Sequence, residues 1–203
     1  MDIDRTAHWE KVYETKAPSQ VSWTQEYPKT SFEIIQSFEL PKTAKIIDVG
    51  GGDSKLVDCL LDAGYEDITV LDISEKALLR AQKRLGDKAS KVNWVVSDIT
   101  TFKPNIPFDV WHDRAAFHFL TEAEQISQYV VLASSYVKGY LSLGTFSKQG
   151  PVKCSGLNIL QYSEEELMSV FSPGFHLIDS KIEDHTTPFD TLQNFLFCSF
   201  KKK

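Results

Sequence analysis

Three carboxylates and a glycine run are spaced so that a nucleoside-type ligand could be held between them. Asp48 stands two residues before Gly50, Gly51 and Gly52, where the backbone can turn sharply and come close to a ligand because no Cβ is in the way. Asp72 follows Gly50 by 22 residues and ends an apolar run (Ile68, Val70, Leu71), so its carboxylate can accept hydrogen bonds from two ribose hydroxyls. Asp98 ends a further run, Val92 to Val96, where it can meet an adenine amino group. A dinucleotide fingerprint would place a third glycine three residues after Gly52, and Lys55 stands there. There is no Gly-Lys-Ser/Thr phosphate loop either, and Asp48 would repel a phosphate but suits a ligand carrying an ammonium group. A fourth carboxylate, Asp113, lies in the run Trp111-His112-Asp113-Arg114, with His118 shortly after it.

These residues must be positioned by strands and helices. Ile46, Ile47 and Val49 read as a short buried strand stopped by the glycines, and Ser54 or Asp53 can cap a helix from Lys55 to Ala63, closed by Gly64. Thr30-Ser31-Phe32-Glu33 fits a capping box for a helix to about Phe38, and Ser74 can cap a helix from Glu75 to Leu85. A fourth strand runs from Phe108 to His112, and Thr121-Glu122-Ala123-Glu124 caps a helix to about Val137. The strand Tyr140 to Phe146 and a helix opened by Ser163 and ending near Phe171 follow. Phe175 to Ile182 and Asn194 to Phe200 read as a closing antiparallel pair. Strands alternate with helices, which predicts an α/β fold with a doubly wound, mostly parallel sheet and one antiparallel edge.

The series IIDVGGGDS, VLDIS, WVVSDIT and FDVWHDRAAFHFL resembles the class I S-adenosylmethionine-dependent methyltransferases, over roughly residues 8 to 200. It looks most like the small single-domain bacterial members, whose thiopurine-methylating relatives carry a similar Asp-Arg-Ala-Ala after the fourth strand. The resemblance implies a Rossmann-like sheet of seven strands, one of them antiparallel, in a single domain over residues 29–203, with residues 1–28 as a lid. It also implies S-adenosyl-L-methionine as cofactor. Gly50, Gly51, Gly52 and Ser54 would pass along its methionine end, and Asp48 would hold the ammonium. Asp72 would take the ribose hydroxyls, Ile73 would pack on adenine, Asp98 would accept from the adenine amino group and the Ile99 amide would donate to a ring nitrogen. Tyr13 and Trp23 are the expected lid aromatics over a cationic sulfonium. Ser54 departs from the usual third glycine of the family loop, and serine is small enough for the loop to survive.

Methyl transfer needs alignment and a deprotonated acceptor. His112 or His118 could remove the acceptor proton, since an imidazole ordinarily titrates near neutrality. Asp113 could orient an amine or the cofactor's ammonium, and Arg114 is either a substrate contact or the ion-pair partner of a carboxylate such as Asp113. The expected acceptor is a small thiol or heteroaromatic molecule or a protein side chain. A nicotinamide oxidoreductase, or a non-catalytic adenosyl- or partner-binding protein on the same fold, is the alternative.

Bulk properties narrow the field. The 203 residues are 42% hydrophobic and 25% charged, which suits one globular domain. A net charge of −6 argues against nucleic acid. No apolar run approaches a membrane span, and the N-terminus lacks the apolar core of a signal peptide. Three cysteines without a CxxC pair, together with no metal-ligand spacing among the histidines, predict reduced thiols, no metal site and a cytoplasmic monomer or homodimer.

Overall fold

A computed structural model describes residues 4–203. The first three residues of the expected lid lie outside the described part. The sheet contains β1 (Lys45–Val49), β2 (Asp67–Asp72), β3 (Val92–Val96), β4 (Phe108–Arg114) and β5 (Val137–Phe146), all parallel. Residues 153–154 (β6) and 157–158 (β7) form a small hairpin, and β8 (Phe175–Thr186) and β9 (Leu192–Lys202) complete the main sheet. Its seven strands stand in the order β3-β2-β1-β4-β5-β9-β8. Only β9 is antiparallel, and it lies between β5 and β8 rather than at the edge where sequence alone would put it. The order reverses between β1 and β4, and a reversal of this kind opens a crevice above the strands' C-terminal ends.

The two faces are covered by different helices. Helices α2 (Lys29–Ser37), α3 (Leu56–Asp62) and α4 (Glu75–Leu85) pack Ile35, Leu56, Leu60 and Leu78 against Ile46, Ile68, Val70 and Val110. On the other face α5 (Ala123–Tyr136) and α6 (Glu164–Phe171) pack Tyr129, Ala133, Leu167 and Phe171 against Ile47, Trp111, Leu141 and Cys198. Successive residues of a strand point to opposite faces, so each strand divides its side chains between these two cores.

Several boundaries differ from expectation, each for a local reason. Helix α2 begins at Lys29 after Pro28, with no side-chain cap, because Thr30 and Ser31 are already inside the helix and buried. Helix α3 starts at Leu56 with Lys55 in the cap position, while Ser54 Oγ accepts from the Leu56 amide at 3.2 Å. Helix α5 takes Glu122, not Thr121, as its cap, in a box with Gln125. Strand β4 runs two residues beyond His112, to Arg114, where Ala115 turns the chain at φ +68°. The remaining helix, α1 (Arg5–Thr15), lies across α4.

Candidate active site

The C-terminal ends of β1, β2, β3 and β4 and the underside of α1 enclose a cavity of about 330 Å³. Of the residues singled out by sequence, Asp48, Gly50, Gly51, Ser54, Asp72, Ile73, Asp98, Ile99, His112, Arg114, Tyr13 and Trp23 line it. Gly52 sits just behind, where an added Cβ would stand 2.6 Å from the Tyr13 hydroxyl and 3.2 Å from Asp72 Oδ2. The turn needs glycine at Gly50 for two reasons: φ is +67°, and a Cβ would stand 2.5 Å from that of Ala116. The amides of Gly50 and Gly51 both donate to the Leu71 carbonyl, at 2.8 and 3.1 Å, which ties the turn to the end of β2.

At that strand end Asp72 is 6% exposed, and its Oδ1 accepts from the Ser74 amide at 2.8 Å. Burial, helped by the Asp48 and Asp53 carboxylates, pushes its carboxyl up to about 7. Asp98 is committed locally as well: Oδ1 accepts from the Thr100 amide and hydroxyl at 2.8 and 2.7 Å, and Oδ2 lies 3.7 Å from Arg5.

The other half of the cavity is built by alternation along β4. His112 and Arg114 project to the α2 face, and Asp113 between them projects to the α5 face. His112 Nδ1 is 2.7 Å from Asp48 Oδ1, one strand away and in register. The pair is almost wholly buried, and His112 Nε2 has no hydrogen-bond partner. One oxygen of Asp48, Oδ1, is therefore engaged with an imidazole. Ser31 Oγ, on α2, also lines the cavity unpartnered. Arg114 donates from one Nη to the Trp23 carbonyl at 3.0 Å and lies over the Phe195 ring at 4.7 Å, while its Nε and other Nη are buried without partners. Burial lowers its guanidinium to about 10.

Asp113 and His118 do not line the cavity. Asp113 is fully buried; its Oδ1 accepts from the Ala116 and Phe117 amides at 3.0 and 3.1 Å, and its Oδ2 from the Tyr129 hydroxyl at 2.8 Å. It thus caps the short 3-10 turn Phe117–Phe119 and cannot pair with Arg114, which faces the other way. His118 accepts from the Phe146 amide at 3.3 Å, and burial with the nearby Arg114 cation pushes it down to about 3. A neutral, enclosed imidazole of this kind packs rather than exchanges protons with a ligand.

Residues 5–28 roof the cavity. Tyr13 and Trp23 face it at a ring separation of 6.3 Å, and Trp9, which sequence alone did not single out, meets Trp23 at 5.6 Å and Phe119 at 5.2 Å. The roof is pinned at both ends. Arg80 of α4 donates to the carbonyls of Tyr13 and Lys16, the latter at 2.7 Å. His185 Nε2 lies 2.7 Å from the Ser22 carbonyl and Gln193 donates to the Ser22 hydroxyl at 3.2 Å. Ser31, Trp9, Phe119 and Arg5 were not foreseen because each reaches the cavity from an element whose docking only the tertiary fold decides.

Residues 46–135 match the family model described as methyltransferase domain. Among curated proteins, the chain is similar to the eEF1A lysine and N-terminal methyltransferase of Mus musculus, 28% identical over 122 residues, or 59% of this chain. The chain spans only 17% of that relative's length. Over 85% of its length it is 23% identical to the EEF1A lysine methyltransferase 2 of Mus musculus, covering 72% of that protein. Among solved structures, the N-methyltransferase NodS of Bradyrhizobium japonicum in complex with S-adenosyl-l-homocysteine superposes with a TM-score of 0.76 at 15% identity, over 98% of this chain and 99% of that one. The sheet and its flanking helices have the class I methyltransferase, Rossmann-like fold.

Proposed function

We propose that this chain is an S-adenosylmethionine-dependent methyltransferase, a reading supported by its matched domain and its fold, and that it transfers a methyl group to a nitrogen acceptor deprotonated by His112. The observation that carries it is the Asp48–His112 pair: His112 lines the cavity beside the glycine turn, and its Nε2 is buried without a partner.

The residues present fit an S-adenosyl ligand. The turn at Gly50 has no room for a side chain, and the buried Asp72 carboxylate can accept from paired hydroxyls. When bound, the cofactor supplies a methyl carbon activated by a positively charged sulfur. This chain's residues do the rest. Asp48 accepts from Nδ1–H and so fixes the tautomer that leaves Nε2 as the lone-pair base. Nε2 would take the proton of the acceptor nitrogen and so free its lone pair for the methyl carbon that the bound cofactor would supply. Trp9, Trp23, Tyr13 and Phe119 exclude water and offer ring faces to positive charge. The lysine and N-terminal methyltransferases among its relatives support a nitrogen acceptor. We further propose residues 5–28 as the lid. Three free cysteines support a cytoplasmic location. The direct test is methyl transfer to a panel of amines and thiols; turnover of thiols alone would overturn the nitrogen assignment.

Asp72→Ala is expected to weaken cofactor binding by about 1–3 kcal/mol, roughly five- to 150-fold, because ribose hydroxyls lose their acceptor. Hydroxyls donate to the ionised carboxylate, so wild-type affinity should rise with pH up to and through about 7 and level off above it. Asp72→Asn should flatten that dependence. In the absence of ligand the same raised value has the opposite consequence: its contribution to folding is complete below the ordinary 3.8 and lost as pH rises through about 7. Calorimetry at pH 6 and 8 measures the first effect, and equal affinity for wild type and Asp72→Ala would remove Asp72 from the ribose site.

A further inference from the structure

Arg114 is the least satisfied charged group in the cavity. A guanidinium offers five N–H donors, and here Nε and one Nη are shut from solvent without a partner, with no carboxylate of the described residues paired to it. Glu183 and Asp48 lie near enough to favour its charge, but neither is within ion-pair distance, so two buried N–H groups of the guanidinium are left for an anion. Ser31 Oγ adds a second unpartnered donor on the same lining.

The side from which the anion comes follows from the strand order. His112 leans on Asp48 of β1, the strand that carries the glycine turn. Arg114 leans the other way, over Phe195 of β9, with its Cγ 3.4 Å from where a Cβ on Gly144 of β5 would stand. The base therefore lies between the cofactor's turn and the guanidinium. We propose that Arg114, assisted by Ser31, is an anion subsite for a carboxylate on the acceptor itself, so that the substrate is a small molecule bearing both an amine and a carboxylate. This rests on the methyl-transfer reading above and narrows it. The planar guanidinium can donate two parallel hydrogen bonds to such a group while still holding the Trp23 carbonyl, so acceptor binding and closure of the roof are coupled at one residue.

The test uses the full chain saturated with S-adenosylhomocysteine, and acetate against neutral acetamide as probes at tens of millimolar. Acetate should raise the unfolding temperature above acetamide, and Arg114→Gln should weaken acetate about ten- to a hundredfold. Arg114→Lys, which keeps the charge but not the fork, should fall between. Equal effects of acetate and acetamide, or an acetate effect that survives Arg114→Gln, would overturn the proposal. A parallel arm compares S-adenosylhomocysteine with 5′-methylthioadenosine, which lacks the amino-acid end. If Arg114→Gln weakens the first and spares the second, the anion belongs to the cofactor and the acceptor assignment fails. If it weakens both alike, Arg114 acts only by holding the roof, and the proposal also fails. Absence of S-adenosylhomocysteine binding by the wild type would instead contradict the methyl-transfer reading itself.

Discussion

Replacing His112 with alanine is expected to lower kcat by about 10²- to 10⁴-fold, the usual contribution of a positioned general base. The affinity for S-adenosylhomocysteine should change little, because the imidazole touches the acceptor's proton and not the adenosyl anchors. Geometry makes this more than a generic expectation. Asp48 Oδ1 sits 2.7 Å from Nδ1 and holds the ring of this cavity-lining residue with Nε2 left unpartnered. Asp48→Asn should therefore reproduce part of the loss by offering the ring an amide donor and favouring the wrong tautomer. The deficit of His112→Ala should shrink as pH rises, since an amine acceptor then loses its proton to solvent without help. Single-turnover methyl transfer measured across pH 7 to 10 separates the two cases. A deficit that is the same at every pH would mean that His112 aligns the acceptor and does not deprotonate it.

The largest effect on stability is expected at Asp113. Its carboxylate gathers the amides of Ala116 and Phe117 and the Tyr129 hydroxyl, which in turn accepts from Trp111 Nε1 at 2.9 Å. Asp113→Ala leaves these donors buried without an acceptor, at a cost of about 3–5 kcal/mol. At about 2–4 °C per kcal/mol for a chain of this size, the unfolding midpoint should fall by roughly 10 °C. Asp113→Asn keeps the oxygen that serves the two amides and should lose markedly less. Burial raises the carboxyl to about 6 despite its donors, so this group's ionisation weakens folding as pH rises through about 6, and the asparagine variant should lack that slope. Denaturant titrations at pH 5 and 8 check both statements. A cost for Asp113→Ala within 1 kcal/mol would show that the network relaxes or rehydrates freely.

The difference between Asp113 and His112 also shows where the sequence was legible and where it was not. The glycine turn, Asp72 and Asp98 could be placed because apolar runs of strand length end at each of them, and a strand end has only one location in a parallel sheet. Ending β4 at His112 left Asp113 and Arg114 in a loop, where all three neighbours could point at one ligand. Two more residues of strand send Asp113 to the opposite core, because period-two alternation leaves no choice. Thr30 was misread for a related reason: a hydroxyl three residues before a glutamate suggests a cap, yet Pro28 takes the cap position and both Thr30 and Ser31 lie buried inside the helix. The roof depended on contacts between segments more than 60 residues apart in sequence, such as Arg80 with Tyr13 and Arg114 with Trp23. Local pattern carries no information about such pairs. Tyr13 and Trp23 were named as lid aromatics, whereas Trp9 in the same segment was not distinguishable from its neighbours.

The measurement that tests the central claim most directly is thermal unfolding of the full chain with S-adenosylhomocysteine and with NAD at equal concentration, for wild type and Asp72→Ala. A ligand at about 100 times its dissociation constant stabilises the native state by about 2.7 kcal/mol, which for this size is a shift of roughly 5–10 °C. The site described here predicts that shift for the wild type with S-adenosylhomocysteine, none with NAD, and a loss of about a third to nine-tenths of it in Asp72→Ala. A shift with NAD, or none with S-adenosylhomocysteine at saturating concentration, would contradict it.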